Sequence, residues 1–257
     1  MAAARPILGL LAILLLAGGI VMQFLVILSG LNHSPLNQVY FLQATTSGVT
    51  GGNDQYRNPA RWTYLNICGV GPNGNNANCA ATRADLPFDP PRNFGTTTGL
   101  PDTFDGSHYY YYLSRFAWSF YLIALFFAVV AFLFSVFALF ARLGAYLTGF
   151  SSIIAVFFQS LAAALMTTWV VKGRDAFRGN GQDASIGVKA MAFTWATWAA
   201  FFLASLFFCV GGSVGKDKSS KKSSYFGRKR STRSRGSFID SSSDRRVVKD
   251  ESVYSQA

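Results

Sequence analysis

The chain is poor in the residue types that most catalytic and metal sites require. Its 257 residues include only 2 His, 3 Cys and 12 Asp plus Glu. The two histidines, His33 and His108, lie far from each other and from every cysteine along the chain. Zinc sites usually draw on several such residues at short, regular spacing. We therefore predict no catalytic residues, no metal ligands and no cofactor, and we expect a protein that is not an enzyme.

Charge is also scarce, because Asp, Glu, Lys and Arg make up only 14% of the chain and four long segments contain none of them. These segments, residues 6–28, 116–140, 150–171 and 190–210, also lack His and are apolar on every face. At a rise of about 1.5 Å per residue, each is long enough to cross a hydrocarbon core of about 30 Å. The sequence therefore predicts an all-α transmembrane protein, a four-helix membrane bundle.

The absence of ionisable side chains from these four segments bears on transport. Pumps and ion-coupled transporters usually carry such groups near the centre of the bilayer. The four segments have none, so we expect no proton relay. A small channel or transporter with an uncharged pathway stays open as an alternative.

The basic residues are concentrated at the C-terminal end of the chain. Residues 212–257 hold 12 of the 23 Lys and Arg residues, against 5 acidic residues. Most of the net charge of +11 therefore belongs to a tail and not to a folded face, so we expect no nucleic-acid partner. A dense basic cluster next to a span favours the cytoplasm. We predict that residues 211–257 form a disordered basic cytoplasmic tail and that the N-terminus is cytoplasmic too.

The tail carries two sets of candidate sites. Basic residues beside a span are attracted to anionic lipids, so we expect contact with the inner leaflet from Lys216, Lys218, Lys221, Lys222, Arg228, Lys229, Arg230, Arg233 and Arg235. Phosphate groups among these residues would oppose that attraction, and the candidate phosphosites are Ser223, Ser224, Ser231, Ser234 and Ser237.

This orientation fixes the side of every connecting segment. Residues 29–115 become an extracellular loop domain, residues 141–149 a cytoplasmic turn, and residues 172–189 an extracellular connection. The connection has basic residues that would favour the cytoplasm, namely Lys172, Arg174, Arg178 and Lys189. We assign the orientation from the tail, because its basic residues are denser than those of the connection. In an alternative interpretation, the first apolar segment is part of a signal peptide that is cleaved near residues 17–19.

The loop domain contains Cys68 and Cys79, with ten residues between them and no other cysteine outside the spans. In an oxidising compartment such a pair favours a disulfide over free thiols or a metal pair. Residues 38–45 and 61–68 carry β-branched and aromatic side chains and predict short strands. Residues 87–91 include three prolines, so we expect no helix there and predict a rigid extended or turn element. We expect a small β-containing domain, stapled by one disulfide.

The loop domain also carries a pattern of residues that resembles a known family. The pattern consists of Trp62, Tyr64, Gly69, Pro87, Phe88, Asp89, Pro90, Asn93 and Phe94, around the two cysteines. It resembles the outer-loop signature of the fungal Sur-seven/PalI family, and the likeness continues through residues 110–118, 158–159 and 169–174. The members of this family are four-span, claudin-like plasma-membrane proteins.

The resemblance implies a place in the cell and a set of partners. It implies residence in eisosome-associated domains of the plasma membrane, with roles in membrane organisation, endocytosis and cell-wall integrity. It also implies cortical scaffold proteins as partners. A PalI-like subunit that senses ambient pH is a further alternative.

Two features of the spans point to contacts between helices. Small residues recur every four positions in the last span, at Ala192, Ala196, Ala200 and Ala204, and would allow a second helix to approach closely. Gln159 lies in the middle of the third span, and we expect it to form a hydrogen bond to a neighbouring helix, with Gln23 as a possible partner. Packing within the bundle is one use of the alanines, and a homo-oligomer is the other.

Overall fold

The computed structural model describes residues 4–52, 58–138 and 142–213. The chain divides into two units, Met1–Gly212 and Ser213–Ala257, and the fold described below is that of the first. Residues 214–257, which include all the expected lipid-binding residues and phosphosites of the basic tail, lie outside the described residues. The tail was expected to begin at residue 211, but residues 211–213 are the end of the last long helix.

Four helices long and apolar enough to cross a membrane confirm the predicted spans. They are α1 (Ala4–Ile27), α3 (Tyr109–Ala138), α4 (Arg142–Gly179) and α5 (Val188–Ser213). Between α1 and α3 lies the short helix α2 (Pro90–Phe94). Two single 3-10 turns, Leu36–Gln38 and Asp102–Phe104, complete the helical elements of the described segments.

The helices extend beyond the apolar segments, and one expected turn is wrong. Residues 142–149 do not form a cytoplasmic turn, because they are the first two turns of α4. At the other end, residues 172–179 of the expected connection continue the same helix. The charged residues mark where the chain leaves the hydrocarbon, but they do not end a helix, and neither segment contains a proline that would.

The buried faces of the four long helices repeat every seven residues. In α3 the buried positions alternate at spacings of four and three: Tyr110, Ser114, Ala117, Tyr121, Ala124, Ala128, Ala131 and Ser135. The same spacing continues in the other helices: Ala12, Leu16, Gly19, Gln23 and Val26 in α1; Thr148, Ser152, Ala155, Gln159, Ala162, Met166 and Trp169 in α4; Ala190, Thr194, Thr197, Phe201, Ala204 and Phe208 in α5. This spacing is typical of left-handed helix bundles. Most of these residues are small, which lets the backbones approach closely.

Only half of the expected alanine ladder of α5 packs within the bundle. Ala200 and Ala204 are buried, but Ala192 and Ala196 are exposed on the outer face of the helix. Residues four apart differ in direction by about 40°, because an α-helix turns about 100° per residue. A strict four-residue ladder thus drifts off the buried face, whereas alternating spacings of three and four stay on it.

The loop domain is built on a five-stranded antiparallel sheet. Its strands are β1 (Leu42–Ala44), β2 (Ala60–Trp62), β3 (Ile67–Val70), β4 (Asn76–Ala77) and β5 (Ala184–Ile186), in the order β4-β3-β2-β1-β5. The sheet confirms the prediction of a small β-containing domain. The predicted strand at 38–45 contains β1.

The second predicted strand, residues 61–68, is a hairpin and not one strand. It includes the end of β2, a four-residue loop and the start of β3. The hydroxyl group of Thr63 donates to the carbonyl oxygen of Asn66 at 2.7 Å and accepts from the amide of Asn66 at 3.0 Å. Side-chain bonds of this kind compete with the sheet ladder and favour a turn.

Residues 87–91 are not wholly extended either, because Pro90 and Pro91 begin helix α2. A proline is tolerated in the first turn of a helix, where its missing N–H has no partner to lose. The carboxylate of Asp89 caps this turn by accepting from the amide of Arg92 at 3.4 Å. Gly95 ends the helix in the left-handed conformation, with φ of 71°.

The predicted disulfide is present and lies at one end of the sheet. Cys68 in β3 is bonded to Cys79, just beyond β4, with their Cα atoms 3.9 Å apart. Because β3 pairs with β4 in antiparallel register, the bond holds together the two strands of the outermost hairpin.

The strand β5 comes from the connection between α4 and α5, so this connection is part of the loop domain. It pairs with β1 over three residues, with Gln43 opposite Ser185. The amide of Thr45 donates to the carbonyl oxygen of Asp183 at 2.8 Å, and the amide of Gly187 donates to that of Phe41 at 2.8 Å. Residues 172–189 therefore lie on the same side of the bundle as residues 29–115, which the four-span topology requires.

The close contact between α1 and α5 at Gly19 gives a direct test of the bundle. A Cβ atom on Gly19 would lie 2.6 Å from a ring carbon of the buried Phe201, whereas a Cβ atom on Gly18 would meet nothing within 4 Å. We predict that Gly19→Ala lowers the free energy of unfolding by about 1–3 kcal/mol, as overpacking does. Thermal unfolding of purified protein in detergent would measure this, with Gly18→Ala as the control. Equal midpoints for the two variants would contradict the contact.

Candidate functional site

The signature residues of the loop domain come together against helix α4. Trp62, Phe88 and Phe94 from the loop pack with Trp169 and Phe177 of α4, and we call these five residues the aromatic junction. All five are buried. The junction joins the loop domain to the membrane bundle.

Trp62 and Phe88 lie at the centre of the junction. The ring centroid of Trp62 is 5.3 Å from that of Phe88, 5.8 Å from that of Phe94 and 5.5 Å from that of Phe177. Phe88 in turn stacks on Trp169, with centroids 4.9 Å apart. Edge and stacked contacts at these distances add to the stabilisation from apolar burial. The rings are therefore held in one arrangement and not only buried together.

Asn93 fixes the polar edge of the junction. Its side-chain oxygen accepts from the indole N–H of Trp62 at 3.1 Å and from the amide of Asp89 at 3.2 Å. Its side-chain amide donates to the carbonyl oxygen of Pro87 at 3.2 Å. One side chain thus satisfies the indole and holds the Pro87–Asp89 segment, which presents Phe88 to the helices.

The junction also requires close approach to two helices. A Cβ atom on Gly173 of α4 would lie 2.9 Å from the ring of Phe88, so only glycine fits there without a shift. On the α3 side, the hydroxyl group of Ser114 accepts from the amide of Phe88 at 2.9 Å and donates to the carbonyl oxygen of Tyr110 at 2.9 Å. Phe88 is therefore enclosed from both helices.

The remaining signature residues also contribute to the fold of the loop domain. Tyr64 is buried, with its ring centroid 4.4 Å from that of Phe41. Gly69 pairs with Ala77 in the outer hairpin. Pro90 is buried at the start of α2.

Arg61 ties the strands of the loop domain together, whereas the sequence had placed it only in a predicted strand, residues 61–68. Its guanidinium group donates to the side chain of Gln43 at 2.7 Å, to the carbonyl oxygen of Gly74 at 2.8 Å and to the side chain of Asn76 at 3.2 Å. It also lies 4.2 Å above the ring of Tyr40. Burial lowers the pKa of Arg61, and Tyr40 opposes that shift. Arginine nevertheless stays charged at neutral pH, so these contacts hold a cation inside the domain.

Hydrogen bonds link the four long helices inside the bundle. Gln159 of α4 donates to the backbone carbonyl of Thr194 in α5 at 3.3 Å, so its partner is not Gln23. Gln23 of α1 instead donates to the backbone carbonyl of Tyr121 in α3 at 2.9 Å. The hydroxyl groups of Tyr121 and Thr194 lie 2.8 Å apart. Hydrogen bonds between polar groups on neighbouring helices help to hold the helices together in lipid, whose acyl chains form no hydrogen bonds.

Within residues 4–52, 58–138 and 142–213, no group of three or more His, Cys, Asp or Glu side chains could hold a metal ion. The arrangement of the signature residues is that of a packed joint, with aromatic rings, a satisfied indole and a glycine contact. What it does physically is fix the loop domain to the third and second spans.

Comparison with known proteins points to one family. The sequence model of the SUR7/PalI family matches residues 8–207. Protein SUR7 of Candida albicans is 35% identical over 198 residues, which cover 76% of this chain and 71% of that protein. The SUR7 family protein FMP45 of Saccharomyces cerevisiae is 36% identical over 208 residues, which cover 76% of this chain and 66% of that protein.

A third relative has a location in its name. An uncharacterized plasma membrane protein of Saccharomyces cerevisiae is 35% identical over 187 residues, which cover 71% of this chain and 60% of that protein. The chain thus matches roughly two thirds of the length of these relatives.

The aromatic junction can be tested by removing its central ring. We predict that Phe88→Ala lowers the free energy of unfolding by about 3–5 kcal/mol, because a large buried ring is replaced by a cavity, and that limited proteolysis then cleaves the loop domain faster. Phe116→Ala is the matched control, since Phe116 is more than half exposed on α3. Equal cleavage rates for both variants would show that the junction does not hold the domain.

Proposed function

The chain belongs to the SUR7/PalI family, and from this premise we propose that it organises eisosome-type domains of the plasma membrane without acting as an enzyme. In this proposal it contributes to membrane organisation, endocytosis and cell-wall integrity. The loop domain faces the cell wall, and both termini face the cytoplasm.

The observation that carries the proposal is the rigid joint between the loop domain and the spans. The sheet includes β5, whose ends lead directly into α4 and α5. The aromatic junction adds a buried contact to α4, and Ser114 adds one to α3. A domain held in this way cannot turn independently of its helices, so contact of the loop domain with the wall would restrain the spans in the membrane.

The outer faces of the spans support a role within lipid. Large apolar side chains point away from the bundle on each helix, including Ile7 and Leu14 on α1, Phe126 on α3, Phe157 on α4 and Leu206 on α5. These faces are free to contact acyl chains or a second copy of the chain. A homo-oligomer is therefore part of the proposal.

The tail supplies the cytoplasmic contacts in this proposal. Its basic residues would bind the anionic inner leaflet, and its serines would regulate that binding when phosphorylated. Cortical scaffold proteins of eisosomes are its proposed protein partners. Wall contact on one side and cortical contact on the other would hold the protein in a fixed patch.

Imaging in living fungal cells tests the proposal. We expect a fluorescently tagged copy to lie in static patches that coincide with a cortical scaffold marker, with little recovery after photobleaching over minutes. Removal of residues 213–257 is expected to keep the protein in the plasma membrane but to raise its mobility, because the cortical contact is lost. Replacing the tail with a neutral linker of equal length controls for size.

The contrary result is a uniform distribution in the plasma membrane, or patches that do not overlap the scaffold marker. Either would show that the protein does not organise these domains. Unchanged mobility after removal of the tail would reject the proposed role of the tail alone.

A further inference from the structure

A cleft of about 350 Å³ lies between the loop domain and the start of α3. Among its lining residues are Arg83, Asp85, Arg92, Tyr111 and Arg115, and we call it the arginine cleft. It lies apart from the aromatic junction, although Pro87 and Asn93 contribute to its wall. Three of its side chains are guanidinium groups and one is a carboxylate.

The positive charge of the cleft is only partly compensated. The Nε atom of Arg115 is 2.5 Å from the carboxylate of Asp85, and the Nε atom of Arg92 is 3.3 Å from that of Asp89. Among the described residues, the guanidinium group of Arg83 has no ion pair or hydrogen bond. The cleft therefore keeps one uncompensated cation and two partly exposed ones.

Tyr111 contacts two of the arginines. The guanidinium carbon of Arg92 lies 4.6 Å from the centroid of the Tyr111 ring, and that of Arg115 lies 5.3 Å from it. The Nη1 atom of Arg115 also donates to the Tyr111 hydroxyl group at 2.5 Å. Two planar donors are thus held over one ring before any ligand binds, which reduces the entropic cost of binding.

The cleft lies beside the start of the apolar segment of α3. Arg115 is directly followed by the apolar segment that begins at Phe116. The side chains of Tyr112 and Phe116 point outward from α3 and are each more than half exposed. Aromatic side chains in this position mark the headgroup region of a bilayer, so the phosphate groups of phospholipid headgroups are the anionic groups at the highest local concentration there.

We propose that the arginine cleft binds the phosphate group of a phospholipid headgroup in the leaflet on the side of the loop domain. Arginine presents paired donors that match phosphate geometry, and bonds between charged partners are the stronger class of hydrogen bond. Arg83 and Arg92 supply the contacts to phosphate, while Asp85 and Tyr111 hold Arg115 in place. The proposal depends on α3 crossing a membrane and not on the role of the protein in membrane domains.

Lipid retention in nanodiscs tests the proposal with the full chain. The probes are nanodiscs of phosphatidylcholine alone and of phosphatidylcholine with phosphatidylglycerol, and native mass spectrometry counts the lipids that stay bound. We expect retained phosphatidylglycerol on the unmodified chain and about tenfold weaker retention on the Arg83→Gln/Arg92→Gln variant, because two charge-assisted contacts at a partly exposed site are lost. The control is Lys172→Gln/Arg174→Gln, which removes the same charge from α4 on the same side of the bundle.

Equal retention by the unmodified chain and the cleft variant, or an equal loss in the control, would overturn the proposal in favour of general surface attraction.

Arg83→Gln alone gives a second test, because the guanidinium group of Arg83 supports no contact within the described residues. We expect about threefold weaker retention of phosphatidylglycerol by this variant. Inorganic phosphate separates the two sources of the ligand. If it raises the thermal stability of the chain in phosphatidylcholine nanodiscs while phosphatidylglycerol is not retained, the lipid proposal is wrong.

Discussion

The pairing of β5 with β1 is the interaction on which the rest of this structure depends. It joins the connection between the third and fourth spans to the large loop, and so brings α4 beside the loop domain. Trp62 can pack against Phe177, and Phe88 against Trp169, only when α4 is in that position. The backbone bonds set the register, and the aromatic contacts bury large rings from both the loop domain and α4. Each supports the other, so we expect the loop domain and the bundle to fold as one unit.

Inside the membrane a different constraint applies. Lipid tails are as apolar as the side chains, so helices associate through close packing and hydrogen bonds and not through burial from water. The seven-residue stripes of Ala, Ser, Thr and Gly provide the packing. Gln23, Tyr121, Thr194 and Gln159 provide bonds from α1 to α3, from α3 to α5 and from α4 to α5. These bonds do not connect α4 to the sheet, and the loop domain supplies that contact.

The sequence predicted the features that the length of apolar segments, local residue types and cysteine spacing indicate: four spans, a small sheet and a Cys68–Cys79 disulfide. It did not predict β5, because a three-residue strand between a helix end and a glycine has no recognisable period. It misplaced the alanine ladder because uniformly apolar spans hide their buried face, although small residues at alternating spacings of three and four marked it. Pro90 indicated that no helix forms there, but because it follows the capping residue Asp89 it occupies the first position of α2. The structural roles of the signature residues were not predicted, because they depend on contacts between residues that are far apart in the chain.

The most direct test of this account is a cross-link across the β1–β5 seam. Gln43 and Ser185 face each other, and residues opposed in this way have Cα atoms about 4.5–5.5 Å apart, within the range that a disulfide can span. In a Cys209→Ser background, Gln43→Cys with Ser185→Cys should oxidise to a disulfide that mass spectrometry detects as a linked peptide pair, whereas Gln43→Cys with Lys189→Cys should not. The absence of that linked pair from folded protein in membranes, or equal linking in the control, would contradict the account.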